Sequence, residues 1–162
     1  MRKLILICLI YMAFSARSVS ERGMKLIKEF EVCNLTAYYD SLGVITIGYG
    51  TTNSDKSITG TTITKGKKIS QATADKWLKE SLNKKYAPKV NKYDGHYHWT
   101  QNEFDALISF AYNIGSIDRL TANGSRSKQA IAYKMLDFYR MGKRVGGIIR
   151  RRKAERALFL KK

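Results

Sequence analysis

The feature that most constrains this chain is a change of period. Leu26, Ile27 and Phe30 recur at helical spacing and put one apolar stripe on a helix. From Tyr38 to about Thr62 that period disappears, and Gly43, Gly48, Gly50 and Gly60 punctuate a stretch rich in Thr, Ile and Tyr. Val44-Ile45-Thr46-Ile47 is β-branched throughout, which suits a pleated strand. Strand alternation puts Val44 and Thr46 on one face and Ile45 and Ile47 on the other. Asp40-Ser41-Leu42-Gly43 reads as the turn leading in.

Helical spacing then returns. Ser18-x-x-Glu21 reads as a capping box opening the first helix, so Glu31 falls at or near its last turn. Ser70 can cap a helix from Gln71 to about Lys85. Thr100-x-x-Glu103 is a second capping box, followed by Phe104, Leu107, Ile108, Ala111 and Ile114 on one face. Ile131, Met135 and Phe138 mark another helix, Gly146-Gly147 a break, and Ile148 to Leu160 a last helix. One small antiparallel sheet among several helices predicts an α+β fold. Neither an internal repeat nor a Pro/Gly/Ser-rich linker divides the 162 residues, so one domain is expected.

The N-terminus predicts export. Arg2 and Lys3 precede an unbroken apolar run, Leu4 to Phe14, and then Ser15, Ala16, Arg17 and Ser18. A positive end, a short apolar run and small residues at Ala16 and Ser18 describe a secretory signal peptide over residues 1–18, leaving a domain over 19–162. The run is short for a membrane span, which needs about 20 apolar residues. Cleavage after Ser18 removes Arg2, Lys3 and Arg17 and no acid, so the formal charge of +17 falls by three to +14. Such a field favours polyanions, among them nucleic acid, anionic lipid and bacterial cell wall. Cys8 lies inside the signal run, so the mature chain keeps only Cys33, a small hydrophobe with no disulfide partner. If the segment were retained as a membrane anchor, Cys8 and Cys33 could pair.

The densest chemistry lies between Glu31 and Thr46. An acid ends a helix, a second acid, Asp40, leads into a strand pair, and Thr46 follows on that strand. A helix end and an adjacent hairpin can face each other across a cleft. Two carboxylates flanking a cleft are what hydrolysis of a glycosidic bond needs, one to give a proton and one to stay ionised. A hydroxyl such as that of Thr46 can hold the attacking water. Spacing alone leaves open the alternative that both acids are solvated surface groups.

Three ordered blocks carry a resemblance. Leu26-Ile27-Lys28-Glu29-Phe30-Glu31, Leu35-Thr36-Ala37-Tyr38-Tyr39-Asp40 and Gly43-Val44-Ile45-Thr46-Ile47-Gly48-Tyr49-Gly50-Thr51-Thr52 form the first. Ala106-Leu107-Ile108-Ser109-Phe110-Ala111-Tyr112-Asn113-Ile114-Gly115 is the second, and Gly147 through Phe159 the third. Together they resemble the phage-type lysozyme and endolysin family, glycoside hydrolase family 24, whose E-x8-D-x5-T frame is met by Glu31, Asp40 and Thr46. The resemblance implies a lysozyme-like fold with a small β lobe beside a mainly helical lobe. It also implies a muramidase cutting the β-1,4 bond from N-acetylmuramic acid to N-acetylglucosamine in peptidoglycan, with Glu31 as general acid. Asp40 and Thr46 would activate and place water, with inversion and without metal or cofactor. Val32 and Thr51 depart from the family's usual Gly and His.

The remaining motifs have blander readings. His96-Tyr97-His98 is too little for a zinc site and reads as solvated loop. Arg150 to Lys153 comes with no nucleic-acid-binding signature and reads as a solvated helix face, with one arginine available to pair with Glu155 or acids near the cleft. Asn34-Leu35-Thr36 and Asn123-Gly124-Ser125 match the N-glycosylation pattern. The expected protein is a secreted monomer acting on peptidoglycan, with no nucleic-acid partner and no stable membrane association once the signal is removed. A non-catalytic wall-binding protein on the same fold, or an enzyme held at the membrane by an uncleaved segment, are the competing classes.

Overall fold

A computed structural model of the chain describes residues 16–139 and 145–162. The signal run up to residue 15, with Cys8 inside it, lies outside the described residues. The order is α1 (Glu21–Phe30), β1 (Asn34–Tyr39), β2 (Ile45–Gly48), β3 (Thr51–Thr52), α2 (Lys56–Thr59) and α3 (Gln71–Ser81). One π-type turn, Leu82–Tyr86, carries α3 into α4 (Ala87–Asn91). Then come α5 (Asp94–Tyr97), α6 (Gln101–Ile114), α7 (Asp118–Thr121), α8 (Lys128–Met135) and α9 (Val145–Phe159). The α+β class expected from the sequence stands.

The three strands pair antiparallel in the order β1-β2-β3, with Tyr38 opposite Thr46 and Thr46 opposite Thr52. The outer edge of β1 is covered by the loop at Gly66–Ile69: Ala37 N donates to Lys67 O at 2.8 Å and Ile69 N to Leu35 O at 2.9 Å. Covering an edge blocks pairing with another chain. The alternation is as expected, since Ile47 is fully buried and Ile45 packs beside it, against Ile58, Ile63 and Trp77. A second, larger core is helical and surrounds α6, with Phe104, Leu107, Ile108, Phe110 and Ala111 inaccessible to water.

Two expected boundaries move. Ser20, not Ser18, caps α1: its hydroxyl accepts from Arg22 N at 3.2 Å and Gly23 N at 3.4 Å. Glu21 is then the first helical residue, too early to close a capping box, and pairs with Lys79 at 2.8 Å instead. What selects Ser20 is distant in sequence. Buried Asp105 of α6 accepts from Ser20 N at 2.9 Å and from the Ser20 hydroxyl. Gly146-Gly147 does not break the chain but lies in the first turn of α9, where a Cβ would meet nothing within 4 Å. A helix end tolerates glycine where its interior does not.

The segment before α1 is docked backbone-first. Arg17 N donates to Asn91 Oδ1 at 3.2 Å, and Asn91 Nδ2 donates to Arg17 O at 3.0 Å. Gln101 Nε2 donates to Ser18 O at 3.0 Å, and Val19 N to Asn83 Oδ1 at 3.0 Å. The Val19 side chain joins the helical core. Among the described residues no helix is long and apolar enough to cross a membrane.

Helix α1 can approach α6 this closely only at Gly23, where an added Cβ would lie 2.7 Å from Asp105 Oδ1 and 2.8 Å from Val19 Cγ2. Ala is the better helix former by about 1 kcal/mol, but overpacking a filled contact costs about 1–3 kcal/mol. Gly23→Ala is therefore expected to lower stability, measured as a lower denaturant midpoint. A raised midpoint would show that the contact yields.

Candidate active site

Glu31 is the residue at which α1 stops. Its backbone turns to φ −109°, ψ 136°, while its N–H still bonds Ile27 O at 3.2 Å. That break leads the chain straight into β1, so the carboxylate stands where the helical lobe meets the sheet. Its Oε1 accepts from Arg151 Nη1 at 2.5 Å. Arg151 comes from α9, and its side chain is 5% exposed against 26% for Glu31. Glu31 thus sits at a mouth and Arg151 behind it. With Phe30, Asn113, Gly147, Ile148 and Arg150 they line an open cavity of about 280 Å³. Asn113 and Ile148 also line the adjoining cavity of about 370 Å³, which reaches Ser116, Arg119 and Phe138.

Asp40 and Thr46 are brought together on one hairpin, through Val44. Asp40 N donates to Val44 O at 3.0 Å, and Asp40 Oδ1 accepts from Val44 N and Leu42 N, both at 2.8 Å. Thr46 Oγ1 donates to the same Val44 O at 3.1 Å. Asp40 is a turn-former for the reason aspartate usually is: its side chain ties down the amides two and four residues on. Thr46 is 5% exposed, between Tyr38 on β1 and Thr52 on β3. No direct bond joins Glu31 to either of them among the described residues, so the trio divides into a helix-end acid and a hairpin pair.

The hairpin is fixed to the helices at Tyr49, just after β2. The Tyr112 hydroxyl of α6 donates to Tyr49 O. Tyr49 Oη donates to Asp75 Oδ1 at 3.1 Å, Gln71 Nε2 donates to both, and Lys28 Nζ meets Asp75 Oδ2 at 2.8 Å. Lys28 lies one turn before Glu31, so this knot links β2 to the helix that presents the acid. Burial pushes the Tyr112 phenol far up, with the charge of Glu31 adding to it. Burial likewise raises Tyr86, which packs on Tyr112 with ring centroids 5.2 Å apart.

Behind Arg151 lies a buried charge cluster. Glu155 is wholly inaccessible; its Oε1 accepts from Ser109 Oγ at 2.7 Å and from Arg151 Nε at 3.1 Å. Arg152 Nη1 approaches Glu155 Oε2 to 2.8 Å, its guanidinium lies 4.6 Å from the Phe110 centroid, and its Nη2 donates to Asn113 Oδ1. Burial raises the Glu155 carboxyl, against the pull of Arg152, Arg151 and the Ser109 hydroxyl. The run Arg150 to Lys153 is therefore not one solvated face, because Arg150 and Lys153 are exposed while Arg151 and Arg152 are buried. The anticipated arginine partner of Glu155 exists, and it reaches Glu31 too. Sequence reasoning gave no role to Tyr38, Tyr49, Asp75 or Asn113. The available signal was polar residues inside apolar periodicity, as at Asn113 near the end of α6. His96 and His98 are both exposed, at the end of α5.

With that geometry in hand, comparison with known proteins is direct. The family model described as phage lysozyme matches residues 28–155, a span holding Glu31, Asp40, Thr46, Arg151 and Glu155. The chain belongs to the phage lysozyme family. It is 40% identical over 151 residues to an endolysin of Lactococcus phage c2, covering 88% of this chain and 60% of that protein. It thus spans well under the full length of that relative. An endolysin of Salmonella phage P22 is 31% identical over 151 residues, covering 88% of this chain and 97% of the relative. Among solved structures, the endolysin from Escherichia coli O157:H7 phage FAHEc1 superposes with a TM-score of 0.71 at 33% identity, covering 90% of this chain and 94% of that one. The muramidase domain of SpmX from Asticaccaulis excentricus gives 0.70 at 30% identity, covering 90% and 99%. The lysozyme-like arrangement of a small β lobe beside a helical lobe is therefore the fold.

The Asp75 knot has a pH signature. Burial alone would raise the Asp75 carboxyl, but hydrogen bonds from Lys28, Gln71 and Tyr49 outweigh it and hold the group below its ordinary 3.8. The same contact with Asp75 raises Lys28. A depressed carboxylate stabilises the fold above its unfolded pKa, and that contribution is lost as pH falls through the folded value. Asp75→Asn is expected to flatten the acid side of the stability curve below about pH 4. Denaturant unfolding of both proteins from pH 7 to pH 3 measures it; parallel curves would remove the knot as a source of acid sensitivity.

Proposed function

We propose that this chain is a muramidase that hydrolyses the β-1,4 bond between N-acetylmuramic acid and N-acetylglucosamine in bacterial peptidoglycan. The observation that carries the reading is the placement of Glu31. It ends a helix at the rim of an open cavity and is held from behind by a buried arginine. The hairpin bearing Asp40 and Thr46 follows it directly, all inside the family match. In this reading Glu31 gives its proton to the leaving oxygen. Asp40 stays ionised and, with the Thr46 hydroxyl, activates a water on the other face of the sugar. Proton and charge both come from side chains, so no metal or cofactor is required. The outcome is bacterial lysis or antibacterial defence by a secreted monomer, whose strongly positive charge, kept after the signal is removed, concentrates the protein on the anionic wall.

Two substitutions separate chemistry from scaffold. Glu31→Gln keeps size and removes the proton donor; release of muropeptides is expected to drop on the order of 100-fold or more. Asp40→Asn retains Oδ1 as acceptor for Leu42 and Val44, so the turn should persist while the charge is lost. Its melting temperature is expected to stay near that of the parent while turnover collapses. Undiminished muropeptide release by Glu31→Gln would sink the enzyme reading.

Export is part of the proposal, with its boundary shifted. Cleavage after Ser18 would cut away Arg17 and Ser18, whose backbone groups Asn91 and Gln101 hold. Ala13-Phe14-Ser15 offers small residues in the same relative positions and would leave both on the domain. Mass spectrometry of the secreted protein is expected to find an N-terminus at Ala16. A mature chain starting at Val19 would show that the docked residues are dispensable, and a chain starting at Met1 would replace free secretion with membrane tethering.

A further inference from the structure

Arg151 reaches Glu31 with one nitrogen only, and its other two are already committed. Nε donates to Glu155 Oε1 at 3.1 Å, and Nη2 to Ser109 O at 3.1 Å and Ser109 Oγ at 3.4 Å. A guanidinium is a rigid planar fork, so fixing two of its nitrogens fixes the third. Glu155 is itself fixed, since Ser109 Oγ donates to the oxygen that receives Arg151. Its second oxygen sits 2.8 Å from Arg152, whose guanidinium is buried against Phe110. One buried carboxylate therefore balances two adjacent buried guanidiniums, one of which touches the proposed acid.

We propose that Glu155 is a positioning residue for proton donation: it holds Arg151 on Glu31 and sets how much positive charge Glu31 meets. This rests on Glu31 being the proton donor. Arg151 without a counter-ion would face Arg152, and both guanidiniums are almost wholly withdrawn from water. It would then be drawn outward, onto the carboxylate at the cavity rim. Like charges held together in low dielectric repel by far more than in water. With Glu155 in place the Arg151 charge is shared between two acids, and less of it falls on the acid at the rim. Glu31 is faced from α9 by Arg151 and shares its cavity with Arg150 and Glu29, while its field also reaches Tyr112 on α6 and Tyr86 on the π turn, both of which feel the charge of Asp55 as well. Among the described residues the polar partners of Glu155 are Ser109, Arg151 and Arg152, and of these only Arg151 bonds Glu31, so changes at Glu155 act on Glu31 through Arg151.

The test uses charge changes of opposite sign, read as kcat, KM and the pH profile on a soluble peptidoglycan oligosaccharide. Glu155→Gln keeps an acceptor for Ser109 and Arg151 but deletes the negative charge. Expected are a KM within about twofold of the parent and an alkaline limb of the kcat profile displaced to lower pH by about one unit, so that kcat at neutral pH falls roughly tenfold. Arg152→Met deletes the competing cation and is expected to move that limb to higher pH. The pair Glu155→Gln with Arg152→Met, which removes one charge of each sign, is expected to return the limb toward the parent position. A purely structural role lowers stability and activity together and moves no limb. A limb that stays in place in Glu155→Gln, or moves the same way in both single variants, overturns the proposal. If Glu155→Gln fails to fold, Arg152→Met decides alone, and a limb that does not rise overturns it. Glu31→Gln serves as the control: full turnover there would discard the acid assignment itself, whatever happens at Glu155.

Discussion

A guanidinium removed from water must have its donors answered, and Arg151 is almost fully removed. The effective penalty for burying such an ion is several kcal/mol, recovered only where geometry supplies enough acceptors. Three pieces of chain distant in sequence supply them: Glu31 from the end of α1, Ser109 from the middle of α6, and Glu155 one turn along α9. Removing any of these leaves a buried cation under-satisfied. The arrangement thus fixes where α9 lies on α6 and where α1 ends relative to both. The cavity is shaped by the same demand, since Gly147, Ile148 and Arg150 line it on the turn of α9 preceding Arg151.

The two lobes are joined differently from the way each is held together. The β lobe has its own small apolar core under Ile47 and Trp77, and the helical lobe a larger one around α6. Between them Ile69 packs on both cores, and polar ties converge on Tyr49: its carbonyl takes the Tyr112 hydroxyl, and its own hydroxyl joins Asp75, which Lys28 pairs, and Gln71. Polar ties specify a single relative placement because each needs its partner at one distance and angle. Apolar contact alone would tolerate sliding. For the proposed site, whose acid would come from one lobe and whose water-handling pair from the other, that specificity matters more than extra stability.

The sequence announced what depends on local order and missed what depends on distant partners. Thr100-x-x-Glu103 forms a reciprocal box as read, because both partners lie within one turn. The alternation of Val44 to Ile47 correctly put Ile45 and Ile47 together on the core face, because a strand has period two. Glu31 fell at the helix end as the spacing required. The first cap was misplaced by two residues, because Asp105 chooses between Ser18 and Ser20, and nothing near residue 20 shows that. Gly23 carried no signal for the same reason: its need for a missing Cβ arises from a side chain on α6. The basic run of α9 looked uniform in sequence, yet its helical turn sends Arg151 and Arg152 inward and leaves Arg150 and Lys153 in water.

Each of the two proposed catalytic carboxylates divides its oxygens in the same way. Asp40 Oδ1 takes both amides of its turn, and Oδ2 has no bond among the described residues. Glu31 Oε1 takes Arg151, and Oε2 likewise has none among the described residues. One oxygen anchors the group and the other remains for chemistry. An acid so divided is oriented before substrate arrives, which removes a conformational cost from the reaction step. The anchors differ in kind, and the difference matches the proposed roles. Neutral amides orient Asp40 without neutralising it, which suits a group that must remain ionised. A cation orients Glu31, and that cation is shared with a second, buried acid. The acid at the rim is therefore governed by a carboxylate that never meets the cavity.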